Sequence, residues 1–155
     1  MILSLLHHFK NANGVAVDIS QDALEVAYFT ARKQGTSDRI TFVRQNWGTD
    51  LEGEFDLIVS NPPYIKDTEI ENLAPEVARY EPRLALDGGA DGLVCYHQLA
   101  PFIRELLAPN GYAVLEFGMG QEQDVAGIMQ SNQLSVQGFK KDLAGITRVL
   151  WLQKT

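Results

Sequence analysis

Phe55-Asp-Leu-Ile-Val-Ser-Asn-Pro-Pro-Tyr64 gives the clearest indication of the fold in this chain. Its first six residues are a short run rich in β-branched and apolar side chains, as in a buried strand. Because two successive prolines cannot continue a hydrogen-bonded ladder, the strand must end at Asn61-Pro62-Pro63-Tyr64. The ends of parallel strands are where α/β sheets bind ligands, so this tetrapeptide is the first candidate for a functional site.

Strands and helices alternate on both sides of this segment. Upstream, residues 15–19 and 40–44 are predicted strands, and between them a helix begins after the N-cap Ser20 and runs to about residue 34. Downstream, the pattern predicts a helix at residues 93–108, a strand at 112–117 and a second helix at 121–130. An antiparallel pair of strands is predicted at residues 134–140 and 146–152. This order predicts an α/β fold with a mostly parallel sheet that ends in an antiparallel hairpin.

Residues 65–92 interrupt the alternation, because they show no periodicity and are punctuated by prolines and glycines. Compact domains rarely keep unstructured loops longer than about 12 to 15 residues unless function or disorder requires them. We therefore expect this segment to face the substrate. No linker or repeat divides the chain, so residues 1–155 are predicted to form a single domain.

Composition argues against several classes of protein. The 13 Lys and Arg against 20 Asp and Glu give a net charge of −7, which disfavours direct binding to nucleic acid. The single cysteine, Cys95, excludes an internal disulfide and thiolate-pair zinc sites, and the spacing of the 3 histidines predicts no metal site. Nothing therefore points to an oxidising compartment, and we expect a cytoplasmic protein. No apolar run approaches the ~20 residues that span a bilayer, so we expect no membrane partner.

The tetrapeptide Asn61-Pro62-Pro63-Tyr64 combines a carboxamide, a proline carbonyl and an aromatic ring. A planar substrate nitrogen that carries hydrogens could donate one to the Asn61 side-chain oxygen and one to the Pro62 carbonyl. This would fix the nitrogen and aim its lone pair at an electrophile. The Tyr64 ring could stack on the substrate or face a cationic methyl donor. The alternative is a purely structural Asx-Pro turn.

Two carboxylates lie in or at the end of predicted strands. Asp18 ends the first strand, where an acidic residue commonly accepts hydrogen bonds from both ribose hydroxyls of a nucleotide cofactor. Its alternative role is that of a helix-start carboxylate beside Ser20, which the helix dipole favours. Glu116 is either buried inside its strand or exposed at the sheet edge, and we assign it no acid–base role.

These residues resemble those of a known family. Asn61-Pro-Pro-Tyr64 looks like the (Asn/Asp/Ser)-Pro-Pro-(Tyr/Phe) motif of S-adenosylmethionine-dependent amino-methyltransferases. With Tyr80-Glu-Pro-Arg-Leu-Ala-Leu-Asp-Gly-Gly-Ala-Asp-Gly-Leu93 and Leu115-Glu-Phe-Gly118, it is similar to the HemK/PrmC proteins, the N5-glutamine methyltransferases of peptide-chain release factors. The resemblance covers nearly the whole chain.

The resemblance implies a Rossmann-like class I methyltransferase fold, S-adenosylmethionine as the cofactor and a release factor as the partner. The implied reaction is methyl transfer to the glutamine side-chain amide of the release factor's Gly-Gly-Gln loop. Asn61 would hold this amide through its side chain and Pro62 through its carbonyl, and Tyr64 would pack the reacting centre. These three are the expected catalytic residues, and Pro63 and Glu81 complete the expected substrate-binding set.

By the same resemblance, Asn46-Trp47 lies where the family usually has an acidic residue followed by an aromatic or apolar one at the adenine. Asparagine replaces the acid here, but its carboxamide oxygen could still accept a hydrogen bond from the adenine amino group. The expected cofactor-binding residues are therefore Asp18, Asn46 and Trp47, together with Asn61.

The family's first strand, its Glu/Asp-x-Gly-x-Gly loop and its N-terminal helical domain have no counterpart in this sequence. The glycine-rich loop would lie about 20 residues before the ribose acid, and residues 1–10 look like the helix that follows it. We therefore expect a truncated catalytic domain. The missing strand would separate the strands that end at Asp18 and Ser60, so these two either pair directly or capture a strand from another copy, with self-association as the result.

Two other functions stay open. One is an N6-adenine or N2-guanine nucleic-acid methyltransferase, which shares the tetrapeptide, although the net charge of −7 and the block at residues 80–93 argue against it. The other is a catalytically silent remnant or binding module, which the missing glycine-rich loop favours.

Overall fold

The computed structural model describes residues 1–155, which divide into two compact units, Met1–Leu51 and Glu52–Thr155. The first unit contains α1, β1, α2 and β2, at Ile2–His8, Gly14–Asp18, Gln21–Lys33 and Ile40–Arg44. The second contains β3, α3, α4, β4, α5, β5 and β6, at Phe55–Ser60, Pro75–Tyr80, Val94–Leu106, Leu107–Glu116, Glu122–Ser131, Leu134–Lys141 and Thr147–Lys154. Short 3-10 helices lie at Ser37–Arg39, Asp67–Asn72 and Arg83–Ala85. None of the helices combines the length and the apolar character needed to span a membrane.

The first unit is built on a parallel pair of strands. β1 and β2 run in register to their last residues, where Asp18 lies opposite Arg44, so both strands end at the same edge. The Ser20 hydroxyl oxygen accepts a hydrogen bond from the Ala23 amide at 3.2 Å and thereby caps α2. The two strands and the helix that the sequence predicts for this region are confirmed.

Arg39 ties α1 to the rest of the first unit. Its guanidinium donates hydrogen bonds to the backbone carbonyls of Leu6 (2.8 Å), Ala12 (2.9 Å) and Phe9 (3.0 Å). These carbonyls lie at or just after the C-terminal end of α1, where backbone acceptors lack partners within the helix. A helix of 7 residues is too short to be stable alone in water, so this side chain supplies part of its support.

The second unit is a mixed four-stranded sheet with the strand order β3-β4-β6-β5. β3 and β4 are parallel, whereas β6 is antiparallel to both β4 and β5. The most deeply buried side chains of this unit are those of Tyr96, Ile103, Leu107, Leu115, Phe117, Val125, Met129, Leu134, Leu150 and Leu152. The predicted α/β class and the C-terminal antiparallel hairpin are confirmed.

Residues 65–92 are more ordered than the sequence predicts. In place of an unstructured loop, the segment contains two 3-10 helices and α3, and Ile65 forms a parallel bridge with Asp87. No helical piece is longer than 6 residues, so none is long enough to show a periodic pattern in the sequence.

The junction between α4 and β4 also differs from the prediction. The helix predicted to end at residue 108 ends at Leu106, and the strand predicted to begin at residue 112 begins at Leu107. Leu107 pairs with Phe55 and Tyr112 with Leu57, so the residues between them form an irregular bulge within β4. A proline and a glycine are tolerated in such a bulge although they resemble a turn in the sequence.

The predicted direct pairing of the strands that end at Asp18 and Ser60 is wrong. β1 pairs with β2 alone, and β3 pairs with β4 alone, in two separate sheets. β1 and β3 therefore each have one edge without a strand partner. Capture of a strand from another copy stays a prediction.

Candidate active site

The Asn61–Tyr64 tetrapeptide lies directly after the last residue of β3, as the sequence predicts. Asn61 is exposed, whereas Pro62 is fully buried. A cavity of about 150 Å³ is lined by Asn61, Pro62, Pro63, Tyr64, Ile65, Ala85 and Leu86.

Backbone hydrogen bonds hold the far wall of this cavity against the tetrapeptide. The Ile65 amide donates to the Leu86 carbonyl at 3.0 Å, and the Gly88 amide donates to the Ile65 carbonyl at 2.8 Å. Leu86 and its neighbour Ala85 are therefore fixed beside Ile65. Part of the segment expected to face the substrate thus contributes to the cavity, whereas exposed Glu81 follows α3 and does not line it.

The Tyr64 side chain is directed toward the end of β4. Its hydroxyl donates to Oε1 of Glu116 at 3.4 Å, and its ring lies close to the Gly118 backbone. Burial raises the pKa of the Tyr64 phenol, the Glu116 carboxylate raises it further, and Arg148 acts in the opposite direction. Glu116 itself is half-buried, intermediate between the two environments considered for it.

Tyr96 is a second tyrosine at this strand end, and it was not recognised from the sequence. Its side chain is fully buried, and its hydroxyl donates to the Glu116 backbone carbonyl at 2.9 Å. Burial is the main reason that its pKa is raised, with smaller contributions from Tyr64, Cys95 and Glu116. The signal available in the sequence was the hydroxyl-bearing Tyr96 among the apolar residues of α4, because a buried hydroxyl needs a hydrogen-bond partner.

Gln121 is the other residue that sequence reasoning missed, because it was considered only as the start of a helix. Its Oε1 accepts a hydrogen bond from the Gly118 amide at 2.8 Å. Its Nε2 donates to the Tyr64 carbonyl at 3.1 Å and to the Gly92 carbonyl at 3.3 Å. One carboxamide therefore connects the tetrapeptide, residues 88–92 before α4 and the turn after β4.

Glycines permit this close packing around Tyr64. A Cβ on Gly88 would lie 2.8 Å from the Tyr64 Cα, and one on Gly92 would lie 2.5 Å from the Tyr64 carbonyl oxygen. Gly92 also has a φ of +78°, which side-chain-bearing residues rarely adopt. Gly88 and Gly92 in the block at residues 80–93 are thus explained by their approach to the tetrapeptide.

The predicted nucleoside residues lie in the first unit, at one edge of its sheet. Asp18 is the last residue of β1, and Asn46 and Trp47 follow the end of β2 after one intervening residue. Asp18 and Asn46 are exposed, and Trp47 is half-buried with a φ of +53°. The parallel pairing of β1 and β2 thus brings Asp18, which is expected to bind the ribose, and Asn46 and Trp47, which are expected to bind the adenine, to the same edge of the sheet.

Asp18 also has the local structural role that was its alternative. Its Oδ1 accepts a hydrogen bond from the Ser20 amide at 2.8 Å, just before α2 begins. An exposed carboxylate has further acceptor capacity, so this contact does not exclude binding of a hydroxyl. The hydrogen-bonding groups at this edge, a carboxylate and a carboxamide, fit the polar groups of a nucleoside.

Two solved structures with similar folds are named as methylating enzymes. A methyltransferase from Pyrococcus furiosus matches 98% of this chain and 68% of its own with a TM-score of 0.71 and 20% identity. The ribosomal protein L11 methylase from Lactobacillus delbrueckii subsp. bulgaricus matches 99% of this chain and 64% of its own with a TM-score of 0.69 and 18% identity. The chain has the class I methyltransferase fold.

The family model described as methyltransferase small domain matches residues 1–100, so the chain belongs to this family. A release factor glutamine methyltransferase from Rhodospirillum rubrum is 47% identical over 97% of this chain and 46% of its own length. One from Bradyrhizobium diazoefficiens is 44% identical over 99% of this chain and 52% of its own. The expected resemblance is confirmed, and the chain spans about half the length of these relatives.

Proposed function

We propose that the chain transfers a methyl group from S-adenosylmethionine to the side-chain amide nitrogen of a glutamine in peptide-chain release factors. The main supporting observation is the cavity at the end of β3, which Asn61, Pro62 and Tyr64 line. The relatives named release factor glutamine methyltransferases support the choice of substrate. We also propose that residues 1–155 act as one catalytic domain, since the family match covers the first unit and continues to residue 100 of the second. We propose a cytoplasmic location because the single cysteine gives no sign of an oxidising compartment.

The tetrapeptide can orient an amide without a strong base. Asn61 offers a side-chain oxygen and Pro62 a backbone carbonyl, and each accepts one hydrogen of the substrate's amide nitrogen. An amide nitrogen is a weak nucleophile, so fixed orientation is the main contribution these residues make to the rate. Tyr64 packs the reacting centre, and Pro63 and Glu81 complete the proposed substrate-binding set. The bond between the nitrogen and the methyl group forms as the sulfur–methyl bond breaks, with its electron pair left on the sulfur, and the nitrogen releases one proton to water.

Asp18 and Asn46 are the proposed nucleoside ligands. Asp18 accepts hydrogen bonds from the ribose hydroxyls, and the Asn46 carboxamide accepts one from the adenine amino group, with Trp47 beside the ring. The proposed contact of Asn61 with the cofactor completes this set. When bound, S-adenosylmethionine supplies a methyl group on a positively charged sulfur, and the protein supplies binding and orientation.

A rate measurement tests the proposal. The chain is incubated with S-adenosylmethionine and a peptide that contains Gly-Gly-Gln, and methyl transfer is followed. We expect Asn61→Ala to lower the rate by about 100-fold, because the amide loses one of its two acceptors. Asn110→Ala is the matched control, since Asn110 is exposed near the start of β4, at the opposite end of the β3–β4 pair.

Three outcomes of this assay count against the proposal. A wild-type rate in Asn61→Ala would contradict the assigned site. Methylation of a DNA or RNA oligonucleotide instead of the peptide would support the nucleic-acid alternative, and its salt dependence would show binding through phosphates. A folded chain that neither binds S-adenosylmethionine nor methylates any of these substrates would support the silent binding module. Light scattering on the same sample tests the proposed self-association through strand edges.

A further inference from the structure

The carboxamide of Gln121 makes three hydrogen bonds to backbone groups of three chain segments. It accepts from the Gly118 amide at 2.8 Å and donates to the carbonyls of Tyr64 at 3.1 Å and Gly92 at 3.3 Å. The acceptor and the donor end are therefore both in use. The side chain is half-buried, so these bonds form where competition from water is reduced.

The Gln121 amide has both the acceptor and the donor that these three partners require. A carboxylate could accept from Gly118 but would face the two carbonyl oxygens of Tyr64 and Gly92 without a proton to donate. An apolar side chain would leave all three backbone groups without this partner. The space is also closely fitted, because a Cβ on Gly92 would lie 2.6 Å from Nε2 and one on Gly118 would lie 2.7 Å from Oε1.

The bond to Tyr64 fixes one end of the proposed catalytic segment. The other end is held by the sheet, since Ser60, the residue before Asn61, pairs with Leu115 of β4. Between these points the φ angles of Pro62 and Pro63 are restricted by their rings. A segment that is stiff in the middle and anchored at both ends holds its acceptors in one place, and Gln121 provides one of the anchors at the Tyr64 end.

We propose that Gln121 is a positioning residue for the amide that the Asn61–Tyr64 segment binds. It touches neither substrate nor cofactor and acts through the Tyr64 carbonyl. This inference rests on the proposed function, because its effect on the rate requires that Asn61 and Pro62 orient the substrate nitrogen. Loss of the anchor allows these acceptors to shift, and a shift of about 1 Å can lower a rate by about 100-fold.

Gln121→Glu and Gln121→Met test the proposal in the full chain, with Gln123→Glu and Gln123→Met as matched controls. Gln123 is exposed in the first turn of α5, so its variants reproduce the change in charge or polarity near the helix start. At about pH 8 we expect both Gln121 variants to lower kcat by about 10-fold to 100-fold with a smaller change in KM for the peptide. The Gln123 variants keep the wild-type kcat.

The pH dependence of Gln121→Glu separates positioning from general damage to the fold. The introduced carboxyl group faces two carbonyl oxygens, and the carboxylates of Glu122 and Asp124 lie in the adjoining first turn of α5, so these groups disfavour its charged form. The Gly118 amide and the start of α5 favour the charged form. We expect the first effects to be the larger, which places the pKa of this carboxyl group above the usual ~4.3. As the pH falls, the protonated carboxyl regains a hydrogen that it can donate to the Tyr64 carbonyl. The ratio of the variant's kcat to that of wild type therefore rises as the pH falls from about 8 to about 5.5, whereas the ratio for Gln121→Met stays constant.

A second readout needs no catalysis. Hydrogen exchange of the Gly118 amide, which Gln121 accepts from, should be faster in Gln121→Met than in wild type, and unchanged in Gln123→Met. Equal kcat in Gln121→Met and wild type, or unchanged exchange of the Gly118 amide in Gln121→Met, would overturn the inference. If the wild-type chain is inactive, the proposed function fails, and the exchange measurement alone decides whether Gln121 anchors the segment.

Discussion

The Tyr64 hydroxyl donates a hydrogen bond to the side-chain carboxylate of Glu116, with 3.4 Å between the two oxygens. The backbone carbonyl of Glu116 accepts the hydroxyl of buried Tyr96 at 2.9 Å. A single residue at the end of β4 therefore holds two tyrosines, one from the candidate active site and one from the core. The pKa of each phenol is raised, mainly by burial.

We expect the free energy of unfolding to fall as the pH rises above about 10. The folded-state pKa values of Tyr64 and Tyr96 lie above that of an exposed tyrosine. The contribution of these two neutral phenols to the free energy of unfolding is therefore complete below about pH 10, and it is lost as the pH rises through their folded-state pKa values. Urea unfolding between about pH 8 and pH 11 measures the loss.

Tyr96→Phe should reduce this alkaline loss, because it removes one of the two phenols. At neutral pH it should cost about 1 kcal/mol, since the Glu116 carbonyl loses a hydrogen bond. Tyr112→Phe is the matched control, because the Tyr112 side chain is 45% exposed. If the free energy of unfolding fell as steeply with rising pH in Tyr96→Phe as in wild type, Tyr96 would make no contribution to the alkaline loss of stability.

Gly92→Ala should be more destabilising than Gly120→Ala. Both glycines have positive φ angles, +78° and +84°, so each substitution strains the backbone by about 1 to 3 kcal/mol. A Cβ at Gly120 meets nothing within 4 Å, whereas one at Gly92 lies 2.5 Å from the Tyr64 carbonyl oxygen. Overpacking should add about 1 to 3 kcal/mol to Gly92→Ala in urea unfolding. Equal losses of unfolding free energy in the two variants would mean that the contact between the new Cβ at position 92 and the Tyr64 carbonyl oxygen is relieved without a cost.

Asp18→Asn separates cofactor binding from the structural role of this residue. The variant keeps an oxygen that can accept from the Ser20 amide, so the stability should change little. It removes the charge that strengthens hydrogen bonds from ribose hydroxyls, so calorimetry should show S-adenosylmethionine binding about 10-fold to 100-fold weaker. Asp50→Asn, at another exposed aspartate of the same unit, is the control. An unchanged affinity in Asp18→Asn would leave only the structural role.

Arg39→Lys should loosen α1 although the charge is kept. Arg39 donates to three backbone carbonyls, and the single ammonium of lysine cannot reproduce the planar fork of donors. We expect a loss of about 1 to 3 kcal/mol and faster hydrogen exchange within Ile2–His8. Arg32→Lys, at an exposed position in α2, should leave both unchanged. Wild-type exchange in Arg39→Lys would contradict the role given to this guanidinium.

Local patterns predict the parts of the fold that local chemistry determines. β2 and β3 are predicted with the bounds that the structure shows, because each is an apolar run with clear ends. The Ser20 cap is readable for the same reason, since its partner Ala23 is only three residues away. The two prolines after Asn61 locate the tetrapeptide at the end of a strand from the sequence alone, because neither can donate to a ladder.

Features that depend on distant partners could not be predicted in this way. Gln121 lies 57 residues from Tyr64 and 29 from Gly92 in sequence, and no local pattern indicates that its side chain binds their carbonyls. The segment of residues 65–92 is closed by backbone hydrogen bonds from Ile65 to Leu86 and from Gly88 to Ile65, whose partners are more than 20 residues apart. The bulge at the start of β4 resembles a turn in the sequence, because its pairing with β3 is also a long-range property.

Locating the methyl group is the most direct test of the proposed reaction. The chain, S-adenosylmethionine and a release-factor peptide that contains Gly-Gly-Gln are incubated, and fragmentation mass spectrometry identifies the modified atom. We predict a gain of one methyl group on the glutamine side-chain amide, and no modification of a peptide in which glutamic acid replaces this glutamine. A methyl group elsewhere in the peptide, equal methylation of both peptides, or an unmodified Gly-Gly-Gln peptide would contradict glutamine methylation by this chain.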